Sequence, residues 1–363
     1  MILRYNQNPF ILDEDMDARD QGYVNDISKI DIESFSYPIG SILDMLRDDF
    51  LDCPLDLQDE DDSWNPEKKS QLIESILLGI PIQMFFLCES SYDGRLTIID
   101  GYHRLKTIKE FFSANGKEPN LCGLLYLSKL NGMNRTSLPL QYQRKIFHTN
   151  VSINILKRSA PSEIKYSIFQ RLHKDDERIT YQNMRYRLNI GPWRTYVDYL
   201  LQMPSFQSII TLDLSEKLVG QEMIIRFLAF YYREADYVGF YNLFLDNAIK
   251  NVNRMNESEK RQFAHIFDST LQVCYEILGE DAFVYKQCFN FSLWDCLCVN
   301  IARLNEDEKR RLVRRKTLFL SYYKSLLENR FFLNSITRKT LEPLIVRRRF
   351  SKVKSLISKV VAL

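Results

Sequence analysis

The sequence lacks any apolar run close to the length that a membrane-spanning helix requires. Such a helix needs about 20 consecutive apolar residues, and no stretch of that kind occurs in the 363 residues. The first residues, MILRYNQNPFILDEDMD, also lack the basic region and apolar core of a signal peptide. We therefore expect a soluble, cytoplasmic protein with no membrane partner.

The sequence also lacks the cysteine spacings that bind metals or form redox pairs. Its seven cysteines are scattered, and the closest two, Cys296 and Cys298, are separated by a single residue. Zinc sites and dithiol redox motifs use other spacings, such as Cys-x-x-Cys. We interpret the cysteines as reduced thiols, most of them in the core, and assign no residues to a resident metal site.

Charge is balanced overall but separated along the chain. The formal net charge is only +2, so bulk charge favours no particular partner. Acidic residues concentrate at 13–20 and 59–62, and basic runs lie at 309–316 and 347–354. The basic runs favour an anionic partner, such as DNA, for the C-terminal helices, although a solvated helix surface would give the same pattern.

Residues 37–158 show the mixed helix and strand signals of a small α/β domain. Ser63 as a cap and Pro66 predict a helix start, and Gly79 followed by Pro81 predicts its end. Apolar runs predict strands, and the first two are joined by a tight turn as a hairpin. The predicted strands are 82–89, 95–100, 121–127 and 147–156.

From residue 159 to 363 the apolar residues recur at helical spacing. The segments with this pattern are 163–174, 180–190, 222–235, 240–252, 260–278, 292–304 and 307–329. We predict an all-helical domain with a basic C-terminus, preceded by the α/β domain and by an acidic N-terminal arm at 1–36. The fold class is therefore α+β, and the short boundary favours two parts that pack together.

The segment IIDGYHRLKTI (98–108) is a predicted strand that turns directly into a predicted helix. A helix N-terminus offers backbone N–H groups and partial positive charge, and Gly101 permits close approach of a ligand. Arg104 adds a forked donor that suits phosphate oxygens. Asp100 could cap the helix, hold Arg104 or bind a phosphate-bridging Mg²⁺. The turn is consistent with an anion site, but a common Asp-Gly turn beside a surface arginine would look the same.

The order of motifs around this turn resembles a known family. The segments are WNPEKKSQLIESILLGIPI (64–82), IIDGYHRLKTI and SIFQRLHKDDERITYQNMR (167–185). They are similar to the ParB/sulfiredoxin-like domain of GmrSD-type modification-dependent restriction proteins, over roughly residues 55–190. The matching positions are Trp64, Pro81, Asp100, Gly101, Arg104, Arg171, Gln182 and Arg185.

The resemblance implies a nucleotide pocket that binds a nucleoside triphosphate with Mg²⁺, its hydrolysis, and a role in defence against foreign DNA. Asp100, His103 and Arg104 would then be the catalytic residues. The nucleotide-binding residues would be Gly101, Tyr102, Arg171, Gln182 and Arg185. His103 and His173 would be candidates for proton transfer if both approach this pocket.

Three departures from the family pattern favour an alternative function. Tyr102-His103 replaces Gln-Gln, His173 replaces an asparagine, and acidic residues at 59–62 stand near the position of an arginine. Added negative charge weakens binding of a polyanion. The alternative is a non-catalytic DNA- or protein-binding module with a degenerate nucleotide site.

Nuclease-bearing members of the family carry a C-terminal His-Asn-His module that depends on histidines. This chain has four histidines, and His265 is the one that follows His173. We interpret His265 as a core residue, Trp64 as a core anchor, and Glu222 with Arg226 as a structural ion pair. We therefore expect that this chain has no such nuclease module and that a separate nuclease or effector chain is its partner. A homo-oligomer is left open.

Overall fold

The computed structural model describes residues 30–53, 64–113, 118–173, 180–210 and 217–362. The described residues up to Ile190 form one compact unit, here called the sheet unit. Those from Gly191 onwards form a second unit, the helical unit. A mixed sheet in the first and a predominance of helices in the second confirm the α+β class.

The sheet unit is built around a five-stranded mixed sheet in the order β1-β5-β3-β4-β2. Its described elements, in chain order, are β1 (Ile32–Pro38), α1 (Ile39–Arg47), β2 (Leu51–Asp52), α2 (Pro66–Leu78), β3 (Phe85–Glu89), β4 (Leu96–Asp100), α3 (Tyr102–Phe111), α4 (Leu140–His148), β5 (Asn150–Leu156), α5 (Ser162–Leu172) and α6 (Tyr181–Leu188). The antiparallel pairing of β3 with β4 confirms the predicted hairpin. Most of the strand β1 lies in the range predicted as an arm, and β1 pairs antiparallel with β5.

Both faces of the sheet are covered, which explains the continuous apolar run that predicted β3. Phe85 and Leu87 belong to the core on the face of α2 and α3. Phe86 and Cys88 belong to a second core, which includes apolar residues of α5 and α6. The last strand of this sheet ends at Leu156, and the compact unit continues through α5 and α6 to Ile190.

The ends of α2 follow from local chemistry. The Asn65 side chain accepts a hydrogen bond from the Lys68 backbone N–H, and Pro66 occupies the first turn. Gly79 ends the helix in the left-handed conformation, with φ of 79°. The predicted bounds are thus confirmed, but Asn65 is the cap, and the predicted cap Ser63 lies outside the described residues.

The predicted strand at 121–127 is wrong. No strand is assigned between 118 and 139 in the described structure, which instead has turns and a short 3₁₀ helix at Ser128–Leu130. The buried carboxylate of Glu74 on α2 accepts the backbone N–H groups of Leu125, Tyr126 and Leu127 at 3.1, 2.7 and 2.7 Å. A distant side chain therefore satisfies donors that a strand would have paired within the sheet.

In its described part, the helical unit consists of helices and a short hairpin. Its described elements are α7 (Trp193–Leu201), α8 (Pro204–Ile209), α9 (Lys217–Arg233), α10 (Tyr241–Arg254), α11 (Glu257–Leu278), β6 (Val284–Tyr285), β7 (Cys288–Phe289), α12 (Phe291–Ala302), α13 (Glu306–Arg314), α14 (Lys316–Glu328), α15 (Arg330–Thr337) and α16 (Pro343–Ala362). The hairpin corrects the all-helical prediction. The predicted helix at 307–329 is two helices, since Arg315 leaves helical geometry and donates to the carbonyls of Val360 and Val361.

A buried ion pair joins α9 to α12. Arg226 donates to both carboxylate oxygens of Asp295, at 3.0 and 2.6 Å. Burial alone would lower the pKa of Arg226, but Asp295, with Tyr241 and Glu222, raises it well above the usual value. The predicted pair with Glu222 exists at 3.7 Å, but Asp295, distant in sequence, is the closer partner.

The prediction that His265 is a core residue is wrong. Phe263 and Phe267, four residues apart on α11, are buried, whereas His265 is exposed. A residue two positions after a buried one lies about 200° around a helix. Because Phe263 and Phe267 face the core, His265 faces solvent.

Two other predictions can be compared with the structure. All seven cysteines are free and five are buried, which confirms their interpretation as core thiols. No helix among the described residues is long and apolar enough to cross a membrane.

Candidate functional site

The candidate site is the turn between β4 and α3. Gly101 occupies it with φ of 100°, in the left-handed region that favours glycine. A Cβ atom there would lie 2.6 Å from the Phe85 ring and 3.1 Å from Nη2 of Arg104. Glycine is therefore required both by the backbone conformation and by the space that Phe85 and Arg104 occupy.

Arg104 is held at this turn by three neighbours. It is only 7% exposed, and its Nη2 donates to Oδ2 of Asp100 at 2.8 Å. Its Nη1 donates to Oε1 of Gln83 at 3.2 Å, and its guanidinium lies 5.3 Å from the centre of the Phe85 ring. Of the three roles considered for Asp100, holding Arg104 is the one that the structure shows.

His173 reaches the same carboxylate from the other side. Its Nδ1 lies 3.0 Å from the Phe169 carbonyl, which can only accept, so Nδ1 carries the proton. Its Nε2 lies 4.0 Å from Oδ1 of Asp100, and its ring stacks on Phe169 with centroids 4.3 Å apart. Asp100 therefore lies between a guanidinium and an imidazole.

His103 has a different set of neighbours. Its ring is nearly parallel to that of Trp64, at 13° with centroids 6.0 Å apart, and meets the Tyr102 ring edge to face. Lys68 Nζ lies 4.6 Å from the Trp64 ring centre. Trp64 packs against the core beside α2, which confirms it as an anchor. Thus His173 contacts Asp100, whereas His103 contacts Trp64 and Tyr102.

The residues of segment 167–185 that were predicted to bind nucleotide lie partly at the surface and partly in the interior of the protein. Arg185 is fully buried in α6, and its Nη1 donates to Oε1 of Gln182 at 2.6 Å. Arg171 is exposed near the end of α5. Arg187, which was not predicted, places its guanidinium 5.6 Å from the Tyr102 ring and 5.9 Å from the Phe169 ring.

Three residues that shape the turn were not predicted from the sequence. Gln83 is a polar residue near the start of the apolar run 82–88, and this exception was a usable signal. Phe85 and Arg187 carry no comparable signal, because their roles depend on strand pairing and on the packing of α6.

Among the described residues, no group of three or more His, Cys, Asp or Glu side chains could hold a metal ion. Asp100 is a single carboxylate at the turn. Mg²⁺ can be bound by one or two carboxylates together with substrate phosphates and water. At this turn, Asp100 would be the protein ligand of a Mg²⁺ ion that arrives with a triphosphate.

Two of the cavities that the described residues form lie in the helical unit. One, of about 140 Å³, is lined by α9 and α10, and the other, an open cleft of about 740 Å³, is lined by α7 and α11 and includes His265. Neither contains a predicted site residue. Residues 54–63 and 174–179, which adjoin Trp64 and His173 in the chain, lie outside the described residues, as do the acidic stretches at 13–20 and 59–62.

The fold and the turn define an α+β protein with a candidate anion site at a strand-to-helix junction. Residues 60–270, more than half of the chain, match the family described as GmrSD restriction endonuclease, N-terminal domain. The chain belongs to this family, which confirms the resemblance and relates the protein to restriction systems. No curated protein and no solved structure matches the chain.

Proposed function

We propose that the chain binds a nucleoside triphosphate at the turn between β4 and α3 and hydrolyses it within an anti-phage restriction system. A separate nuclease or effector chain would act with it. The arrangement of Arg104 is the observation that best supports this proposal. Its guanidinium is buried, fixed by Asp100 and Gln83, and placed at the N-terminal turn of a helix.

Phosphate binding would use the helix N-terminus together with Arg104. The first turn of α3 presents backbone N–H groups and the positive end of the helix dipole, and Gly101 permits close approach. A guanidinium has five N–H donors. Two serve Asp100 and Gln83, which leaves three that could face a phosphate.

The aromatic groups beside the turn would contact the rest of the nucleotide. The Trp64–His103 stack and Lys68 lie at the same end of α3. Aromatic faces accept bases by stacking without reading their edges. This part of the proposal favours weak discrimination among the four bases.

Hydrolysis would depend on charge stabilisation and on one proton acceptor. Bound Mg²⁺ would neutralise charge on the phosphates, with Asp100 as its protein ligand. Arg104 would stabilise charge that develops on the transferred phosphoryl group. Nε2 of His173, 4.0 Å from Asp100, is the nitrogen that lacks a proton in the neutral ring and would accept one from water.

A binding-only protein is the second candidate function. Arg185 and Gln182, which were expected to bind the nucleotide, are buried side chains of α6 that contact each other. Arg171 is exposed. Asp100 is already engaged by Arg104. These observations favour a site with fewer phosphate ligands than the resemblance implies, which would bind a nucleotide without turning it over.

Titration calorimetry with each of the four ribonucleoside triphosphates tests the proposal. Arg104→Lys should weaken binding by about tenfold or more, because lysine keeps the charge but loses the fork. Asp100→Asn should retain binding in the absence of Mg²⁺. Controls are Arg95→Lys and Asp93→Asn, since this pair, at 2.6 Å, lies at the other end of β4; both should bind like the wild type.

The outcomes separate the candidates. Binding with Mg²⁺-dependent turnover supports the hydrolase, and binding without turnover supports the binding-only protein. Absence of binding by the wild type would overturn both.

A further inference from the structure

The three consecutive arginines at 347–349 have opposite environments in α16. Arg349 is fully buried, donates to the carbonyls of Ser335 and Thr340, and lies 3.7 Å from Asp295. Arg347 and Arg348 are exposed. Arg349 therefore fixes the helix in the core, so that its neighbours face solvent in a defined direction.

The outer face of α16 is basic along its length. Its exposed cations are Arg347, Arg348, Lys352, Lys354 and Lys359. The spacing from Arg348 to Lys352 and Lys359 is that of one helix stripe, and Arg347 and Lys354 form the adjacent stripe. With a rise of about 1.5 Å per residue, the two stripes extend for roughly 18 Å.

This basic face contains no balancing acid. Residues 343–363 include no Asp or Glu. Within the described part of the chain, none of the five cations forms an ion pair or a hydrogen bond. In the other basic run, Lys309 and Arg310 of α13 pair with Glu306 and Asp307, whereas Arg311, Arg314 and Lys316 are exposed. The run on α16 differs because no acidic residue lies beside its cations in the helix sequence.

The chemistry between the cations identifies the kind of partner. Ser351, Ser355 and Ser358 are also exposed, and Lys, Arg and Ser are common donors to phosphate oxygens. Most large apolar side chains of the helix, including Val346, Phe350 and Val353, are buried, whereas in the first turn Ile345 is half-buried and Leu344 is exposed. An interfacial membrane helix requires an exposed apolar face, and single-strand binding uses exposed aromatics.

We propose that the outer face of α16 binds the phosphate backbone of double-stranded nucleic acid without reading its sequence. The charge is regularly spaced, unpaired within the described structure, and free of groups that would stack on bases. The face lies outside residues 60–270, so the family match does not assign it. It is also separate in sequence from the proposed nucleotide site.

Fluorescence anisotropy of short labelled duplexes with the full chain tests this proposal. The variant Arg348→Gln/Lys352→Gln/Lys359→Gln removes one stripe. The control Lys129→Gln/Arg144→Gln/Lys145→Gln removes the same charge from exposed positions of the sheet unit. The slope of log K against log salt should become less steep by about 0.9 for each phosphate that the stripe variant no longer neutralises. The control and Arg104→Lys should bind like the wild type.

Two duplexes of unrelated sequence should give the same affinity within about twofold, because binding to phosphates carries no sequence information. Equal weakening by the stripe variant and the control, or no duplex binding by the wild type, would overturn the proposal. Binding to phosphatidylserine vesicles without binding to duplex would also overturn it, in favour of a membrane surface. Circular dichroism verifies that both triple variants are folded.

Discussion

Arg104 and Asp100 form an ion pair across the first turn of α3, with Nη2 and Oδ2 2.8 Å apart. The arginine side chain is 9% exposed and the aspartate side chain 33% exposed. Both residues belong to the turn on which the resemblance rests, and their ion pair gives this turn a structural function that does not depend on a ligand. Stability measurements can therefore examine the turn independently of any ligand.

Replacing Asp100 should destabilise the sheet unit. Asp100→Asn leaves the buried guanidinium with a weaker acceptor, and we expect the free energy of unfolding to fall by about 1–2 kcal/mol, discounted for the partial exposure of the aspartate. Urea denaturation measures this change. Asp44→Asn is the control, because its pair with Arg47 is exposed and should contribute almost nothing. Equal effects of the two substitutions would contradict the account.

Replacing Gly101 should lower the free energy of unfolding more than replacing another glycine of positive φ. Gly101→Ala adds backbone strain and a clash with Phe85, together about 2–4 kcal/mol. Gly132→Ala, where φ is 81° and no atom lies within 4 Å of the new Cβ, should cost about 1–2 kcal/mol from strain alone. Denaturant unfolding compares them. Phe85→Leu should reduce the cost of Gly101→Ala, and failure to do so would argue against the clash.

Glu74 should make stability depend on pH. Burial would raise its pKa, but the backbone N–H groups of Leu125, Tyr126 and Leu127 hold it below the usual value. A depressed folded pKa contributes stability above the unfolded pKa of about 4.3, and this contribution is lost as pH falls through the folded pKa.

The test of this contribution is Glu74→Gln. It should lower the free energy of unfolding near neutral pH by about 1–3 kcal/mol, and the difference from the wild type should shrink on acidification. Glu276→Gln, at an exposed position of α11, should change little at any pH. A difference in the free energy of unfolding that grew in acid would contradict the lowered pKa of Glu74.

Removing Asp295 should destabilise the helical unit strongly. Asp295→Ala leaves the buried guanidinium of Arg226 without its closest carboxylate, and Arg349 is also nearby. Loss of one partner of a buried ion pair costs about 3–5 kcal/mol. Thermal unfolding monitored by circular dichroism should show a large fall in Tm for this variant. Asp236→Ala, which removes an exposed pair with Arg233, should leave Tm nearly unchanged.

Elements with local signals could be predicted from the sequence. The α2 helix and the β3–β4 hairpin follow from apolar periodicity, capping residues and one tight turn. The segment at 121–127 could not be predicted, because its backbone donors are satisfied by Glu74, about 50 residues earlier. The error at His265 was avoidable, since it is two positions from Phe263 on a helix.

In the candidate site too, contacts between residues close in sequence were predictable and contacts between distant residues were not. The i, i+4 spacing of Asp100 and Arg104 made their contact foreseeable, whereas the approach of His173 to Asp100 depends on how α5 packs on the sheet. Arg185 and Gln182 were expected at a ligand and instead contact each other. Motif matching identified the residues but could not establish which of them converge.

The most direct test of the central claim is the release of phosphate from the four ribonucleoside triphosphates in the presence of Mg²⁺. The wild type should release phosphate, Asp100→Asn and Arg104→Lys should lower the rate by about tenfold or more, and Arg95→Lys should match the wild type. Wild-type turnover that persisted in both site variants would contradict the assignment of the turn between β4 and α3 as the phosphate site.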